Sequence, residues 1–126
     1  MRALIIDDSR AMRAMLRGIL QQAGVETVEA VHGKEGLERL TAEAGIDLVL
    51  VDWHMPEMDG CDFVRAVRTD PLHRTLRVLM VTSEGDGDMI VKALEAGADE
   101  FVMKPFTRDA IYQKLAVMGF TLDAGV

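Results

Sequence analysis

The chain has 126 residues, 49% of them hydrophobic and 28% charged, which suits one soluble globular domain spanning 1–126 with a true core and excludes a disordered chain. Its formal net charge of −7 argues against nucleic-acid binding, which needs a basic face. The single cysteine, Cys61, excludes an internal disulfide, and no apolar run reaches the length of a signal peptide or membrane span, so a reducing cytoplasmic home follows by elimination.

Ala3 to Ile6 reads as a short apolar strand ending in Asp7-Asp8. Ser9 is a good N-cap for a helix carrying Met12, Met15, Leu16, Ile19 and Leu20 at helical spacing until Gly24. Residues 25–31 form a second strand, polar enough for a sheet edge, and residues 33–44 a helix with Leu37 and Leu40 turned inward, ended by Gly45. Leu48-Val49-Leu50-Val51 then runs unbroken into Asp52. Such an unalternating run is the signature of a strand buried on both faces. A loop punctuated by Pro56 and Gly60 leads to a helix over 61–68 with Phe63, Val64 and Val67.

After a polar loop holding Pro71, Leu76 to Val81 is a fourth strand, ending at Thr82-Ser83. Residues 84–88 read as a flexible acidic loop and 89–96 as a helix closed by Gly97. Glu100 to Met103 is a fifth strand before Lys104-Pro105, and residues 107–118 a last helix with Ile111, Leu115 and Met118 on one face. Strands alternating with helices five times predict an α/β fold, a (βα)5 doubly wound parallel sheet. Chemistry in such sheets gathers beyond the carboxyl ends of the strands, and in the order 2-1-3-4-5 the ends of strands one and three are neighbours.

Asp52 at such an end is a nucleophile, a metal ligand or a cap for the next turn. Asp7 and Asp8 could simply cap the first helix. With Asp52 and Lys104 in the same corner a site is the better reading. Converging carboxylates repel, and a hard divalent cation such as Mg²⁺, which prefers oxygen ligands, would offset that repulsion. His32, His54 and His73 have no zinc-ligand spacing with Cys61. Gly85-Asp86-Gly87 lacks the third glycine of a dinucleotide fingerprint and reads instead as loop mobility. Most of the nine methionines read as core packing. Cys61, near a helix start where a thiolate would be favoured, reads as a half-buried inert thiol.

Four motifs in register, Asp7-Asp8-Ser9, Asp52-Trp53-His54-Met55-Pro56-Glu57-Met58-Asp59-Gly60, Val81-Thr82-Ser83 and Lys104-Pro105-Phe106-Thr107, resemble those of the receiver domain of two-component response regulators. The version around Asp52 is similar to the single-domain, CheY-like chemotaxis regulators, whose fold is flavodoxin-like. The resemblance implies that Asp52 is the phosphoacceptor for a sensor histidine kinase. Asp7, Asp8, Asp52 and the main-chain carbonyl of His54 would hold Mg²⁺. Lys104 would neutralise the phosphoryl oxygens, Thr82 would hydrogen-bond one of them, and the small Ser83 would leave the pocket open. The readout would be a population shift in the face formed by helix four, strand five and helix five, offered to a downstream protein, a motility component in chemotaxis.

The resemblance further implies a monomer, with a phosphatase as a further partner, that assists its own phosphorylation and dephosphorylation and is not otherwise an enzyme. Phe101 stands where the chemotaxis regulators carry a switching tyrosine, so it can rotate with Thr82 but offers no hydroxyl. His54 and Glu84 occupy positions that tune acyl-phosphate lifetime. Two alternatives remain at this point. A Mg²⁺-dependent aspartyl phosphatase of the haloacid dehalogenase type would need an aspartate where His54 stands, and a degenerate interaction module would not need the full set of site residues. Residues 120–126 could begin a linker or be a true C-terminus.

Overall fold

The side chains of Ser9, His32, Asp59 and Thr107 cap helix starts and left-handed Gly24, Gly45, Gly97 and Gly119 follow helix ends, so the elements follow the sequence pattern closely. The structure, a computed structural model, describes residues 1–83 and 87–122. β1 (Arg2–Ile6) leads through Ser9, whose Oγ accepts the Met12 amide at 3.2 Å, into α1 (Arg10–Gln22). β2 (Glu26–Ala30), α2 (Gly33–Ala42), β3 (Ile46–Asp52) and α3 (Gly60–Arg68) follow. A 3₁₀ turn at Pro71–His73 precedes β4 (Arg77–Thr82), α4 (Gly87–Ala96), β5 (Glu100–Met103) and α5 (Arg108–Val117).

The strands pair in parallel in the order β2-β1-β3-β4-β5. β1, β3 and β4 lie inside the sheet, and their residues from Ala3 to Ile6, Leu48 to Val51 and Val78 to Val81 are at most 1% exposed. That burial on both faces explains their unbroken apolar runs. One face packs Leu4, Ile6, Val49, Val51 and Met80 against Phe63, Val64 and Val67 of α3. The other packs Ala3, Ile5, Leu48, Leu50 and Leu79 against Leu16, Leu20, Ile111 and Leu115 of α1 and α5. β2 is an edge strand with a partly exposed Glu26–Glu29 stretch, as its polarity predicts.

Several expectations shift. Met15 points outward and is 51% exposed, because the buried stripe of α1 is narrower than its apolar residues suggest. α4 begins at Gly87, two residues before the sequence pattern predicts, with Asp88 in its first turn where the helix dipole favours an anion. Of the loop expected at 84–88, residues 84–86 with Glu84 lie outside the described residues and Gly87 and Asp88 belong to α4; of the segment 120–126, residues 123–126 lie outside them too. Cys61 is buried, not half-buried, at 4% exposure. Burial first, then the Asp59 charge, pushes its thiol above the ordinary value, which removes the case for a reactive thiolate. Among the described residues no helix is long and apolar enough to cross a membrane.

Candidate phosphoacceptor site

Three strands deliver the site. β1 ends in Ile6, and Asp7 follows with its amide bonded to the Ala30 carbonyl at 3.2 Å and its Oδ1 accepting the Ser9 amide at 2.8 Å. One Asp7 oxygen thus helps start α1, as a capping role would predict, while Oδ2 faces the site. The Arg13 guanidinium donates to the Asp7 carbonyl at 2.7 Å and pairs with Glu29, which ties α1 and β2 to this corner. Asp52 is the last residue of β3 and Thr82 the last of β4, inside the strands and not past them as the sequence suggests. The Trp53 amide donates to Val81 at 3.1 Å and the Lys104 amide to Thr82 at 2.7 Å, so the ends of β3, β4 and β5 are stitched together.

Asp7, Asp52 and Thr82 are 1%, 6% and 2% exposed, whereas Asp8 faces solvent. Carboxylate oxygens of Asp7, Asp8 and Asp52 lie within 4.8 Å of one another. The Lys104 ammonium stands 3.3 Å from Asp7 Oδ2 and 3.3 Å from Asp52 Oδ1. Those distances exceed the usual length of a charge-assisted hydrogen bond, as befits one cation shared by two anions. Burial, and next the Asp7 charge, push the Asp52 carboxyl above its ordinary pKa, against the pull of Lys104. The donor set is all oxygen, partly buried and over-negative, and it fits a hard divalent cation such as Mg²⁺.

The loop after Asp52 is shaped for close approach. Asp59 caps α3, its Oδ1 accepting the Asp62 amide at 2.8 Å, and the Gly60 amide returns to the Trp53 carbonyl at 2.9 Å. A Cβ on Gly60 would come within 2.5 Å of the Asp52 carbonyl oxygen and 2.9 Å of Met80 Sδ, so only glycine fits there. Glu57 takes a left-handed φ of 68°, a strained conformation for a non-glycine residue. His54 and Ser83 are exposed at the rim. Phe101 lies further from the carboxylates on β5, half-buried against the α3 and α4 side of the core.

The sequence pattern did not reveal Arg13 or the glutamate it pairs with. The one available signal was three arginines in α1 within a chain of net charge −7.

A conserved-family description fits this arrangement. The model of the response regulator receiver domain matches residues 3–116, and the chain belongs to that family. Among its relatives, the chemotaxis protein CheY1 of Helicobacter pylori is 40% identical over 98% of this chain and 100% of its own length. The chemotaxis protein CheY of Pseudomonas aeruginosa is 40% identical over 91% of this chain and 93% of its own. The solved chemotaxis protein CheY4 of Vibrio cholerae superposes with a TM-score of 0.87 at 31% identity, covering 93% of this chain and 97% of that one. A response regulator from Chloroflexus aurantiacus gives 0.88 at 32% identity, covering 93% and 95%. The protein is a CheY-like response regulator receiver, a signalling domain homologous to chemotaxis regulators.

Proposed function

We propose that the Asp52 carboxylate accepts a phosphoryl group from the phosphohistidine of a sensor histidine kinase, and that the phosphorylated protein acts on a motility component. The observation that carries this reading is the Lys104 ammonium held 3.3 Å from both Asp52 and Asp7 at a pocket with excess negative charge. A carboxylate with an ammonium beside it is placed as a nucleophile, because the ammonium can answer the negative charge that an incoming phosphoryl group adds.

Asp7, Asp8, Asp52 and the His54 carbonyl would hold Mg²⁺, which when bound supplies positive charge against the phosphoryl oxygens. An Asp52 oxygen attacks phosphorus, the bond from phosphorus to the donor imidazole breaks, and the imidazole leaves with the electron pair. Lys104 leaves its carboxylate partners to meet a phosphoryl oxygen, and the Thr82 hydroxyl donates to another. Phe101 rotates with Thr82 and alters the face formed by α4, β5 and α5, which the partner reads. His54 and Glu84 set how easily water reaches the acyl phosphate, and a phosphatase can shorten its life further. Residues 1–126 act as one cytoplasmic, monomeric domain whose only chemistry is its own phosphorylation and dephosphorylation.

Trp53, 7% exposed and next to Asp52, reports on the site. Its fluorescence should change saturably with Mg²⁺, and change again with acetyl phosphate only when Mg²⁺ is present. Asp52→Asn should abolish the second change and all phosphoryl incorporation. One stable phosphoryl group on Asp52→Asn would overturn the assignment, and steady release of phosphate from many phosphate esters would favour a phosphatase instead.

A further inference from the structure

β5 is the last strand of the sheet, and its neighbours Glu100 and Phe101 point to opposite faces because side chains alternate along a strand. Phe101 turns toward the α3 and α4 side, packed against the cluster that contains Met80, Ala93 and Ala96. Glu100 turns toward α5. Lys114 of α5 nevertheless engages both. Its Nζ lies 3.0 Å from Glu100 Oε1 and 4.8 Å from the centre of the Phe101 ring. One side chain can reach both faces only at a sheet edge, where no further strand intervenes. The same Glu100 oxygen also accepts the Phe101 amide at 3.2 Å, so cation, carboxylate, backbone and ring form one assembly.

Register connects this assembly to the site. Met80 pairs with Phe101 and Thr82 with Met103, so Phe101 and Thr82 share a face of the sheet, one diagonal step apart. A phenylalanine has no hydroxyl with which to anchor itself outward, and a cation over its ring face supplies an anchor that needs none. We propose that Lys114 is a positioning residue, a latch that holds the Phe101 ring at the sheet edge and must release it when Thr82 moves toward a phosphoryl group. The second half of this proposal rests on the acceptor reading of Asp52; the first half does not. Lys114 thereby sets how much donor is needed to reach the switched state.

The test uses the full chain labelled with fluorinated phenylalanine, with the Phe101 line identified by its loss in Phe101→Leu. Without any donor, Lys114→Met should displace the Phe101 line, while the line of fully buried Phe63 stays in place and Lys114→Arg keeps the wild-type spectrum. With Mg²⁺ present, Lys114→Met should lower the half-saturating acetyl phosphate concentration about two- to five-fold, the range a partly exposed cation–π contact can supply. In Phe101→Leu the Lys114→Met change should lose that effect. A Phe101 line unmoved by Lys114→Met would overturn the latch. A displaced line with no Asp52-dependent phosphorylation in the wild type would support the latch and overturn the acceptor reading, so the two failures are distinguishable. A displaced line with an unchanged donor requirement would overturn the link between latch and switch.

Discussion

At the amino end of the sheet the Arg68 guanidinium donates to the carbonyls of Gly97, His73 and Leu76 at 2.9, 3.2 and 2.7 Å and to Asp99 Oδ2 at 2.8 Å. Asp99 in turn accepts the Val78 amide at 2.8 Å and faces Arg77 at 3.5 Å. At the carboxyl end the carboxylates of Asp7, Asp8 and Asp52 cluster, and the Lys104 ammonium spans Asp7 and Asp52. Both ends gather charge, but at the first two arginines face one carboxylate and Arg68 makes four hydrogen bonds of 2.7–3.2 Å, whereas at the second one lysine spans two carboxylates at 3.3 Å and the excess is negative. The first knot pins α3, β4 and the turn before β5 together. The second, with an excess of negative charge, keeps capacity for a cation and, with it, an incoming anionic group. The difference teaches that the hydrogen bonding of a cluster and the sign of its excess charge, more than burial, separate a structural ion cluster from a reactive one.

Breaking the hydrogen-bonded amino end should have the largest effect on stability. Arg68→Ala removes a donor from three carbonyls and leaves Asp99 only the Val78 amide and Arg77, and should cost about 2–3 kcal/mol in urea unfolding. Its phosphorylation by saturating acetyl phosphate should persist, and loss of phosphorylation in a folded variant would contradict the separation of the two ends. Gly60→Ala probes how tightly the reactive end is built. The added methyl meets the Asp52 carbonyl oxygen, so it should cost roughly 1–3 kcal/mol and slow phosphorylation, measured by denaturation and by Trp53 fluorescence.

Removing the excess charge should act in the opposite direction. The Asp52 carboxyl has a raised pKa in the folded state, so its ionisation opposes folding at pH values above the ordinary carboxylate range, and the opposition is relieved as pH falls below it. Without Mg²⁺, Asp52→Asn should therefore raise the melting temperature by a few degrees at neutral pH, and the gain should vanish in acid. A lower melting temperature at neutral pH would show that the carboxyl-end cluster is stabilising after all. The smallest effect is expected far from both ends. Met15→Gln on the exposed face of α1 should stay within about 0.5 kcal/mol of wild type in the same unfolding assay.

Much of this comparison was legible one residue at a time. Asp7, Asp8, Asp52, Thr82 and Lys104 each follow or end an apolar run, and the parallel fold those runs imply brings their ends to one edge. Arg68 and Asp99, 31 positions apart, gave no signal, because neither belongs to a periodic pattern. α4 hid its first turn because Gly87 and Asp88 are poor helix formers whose place is set by the helix dipole and the packing that follows. Met15 was misjudged because an apolar side chain at the border of a helical stripe can face either way until its neighbours are in place.

The amino-acid sequence alone determined the alternation of strands and helices, the caps that start and stop them, and the carboxylates at the strand ends, since those follow from local propensity and periodicity. Only the tertiary structure decided that Lys104 divides its charge between Asp7 and Asp52, that Gly60 leaves no space for a methyl group, and that Lys114 reaches round the sheet edge to Phe101. Those are contacts between segments far apart in the chain, and their distances are set by how the sheet twists and the helices pack, which no local pattern encodes.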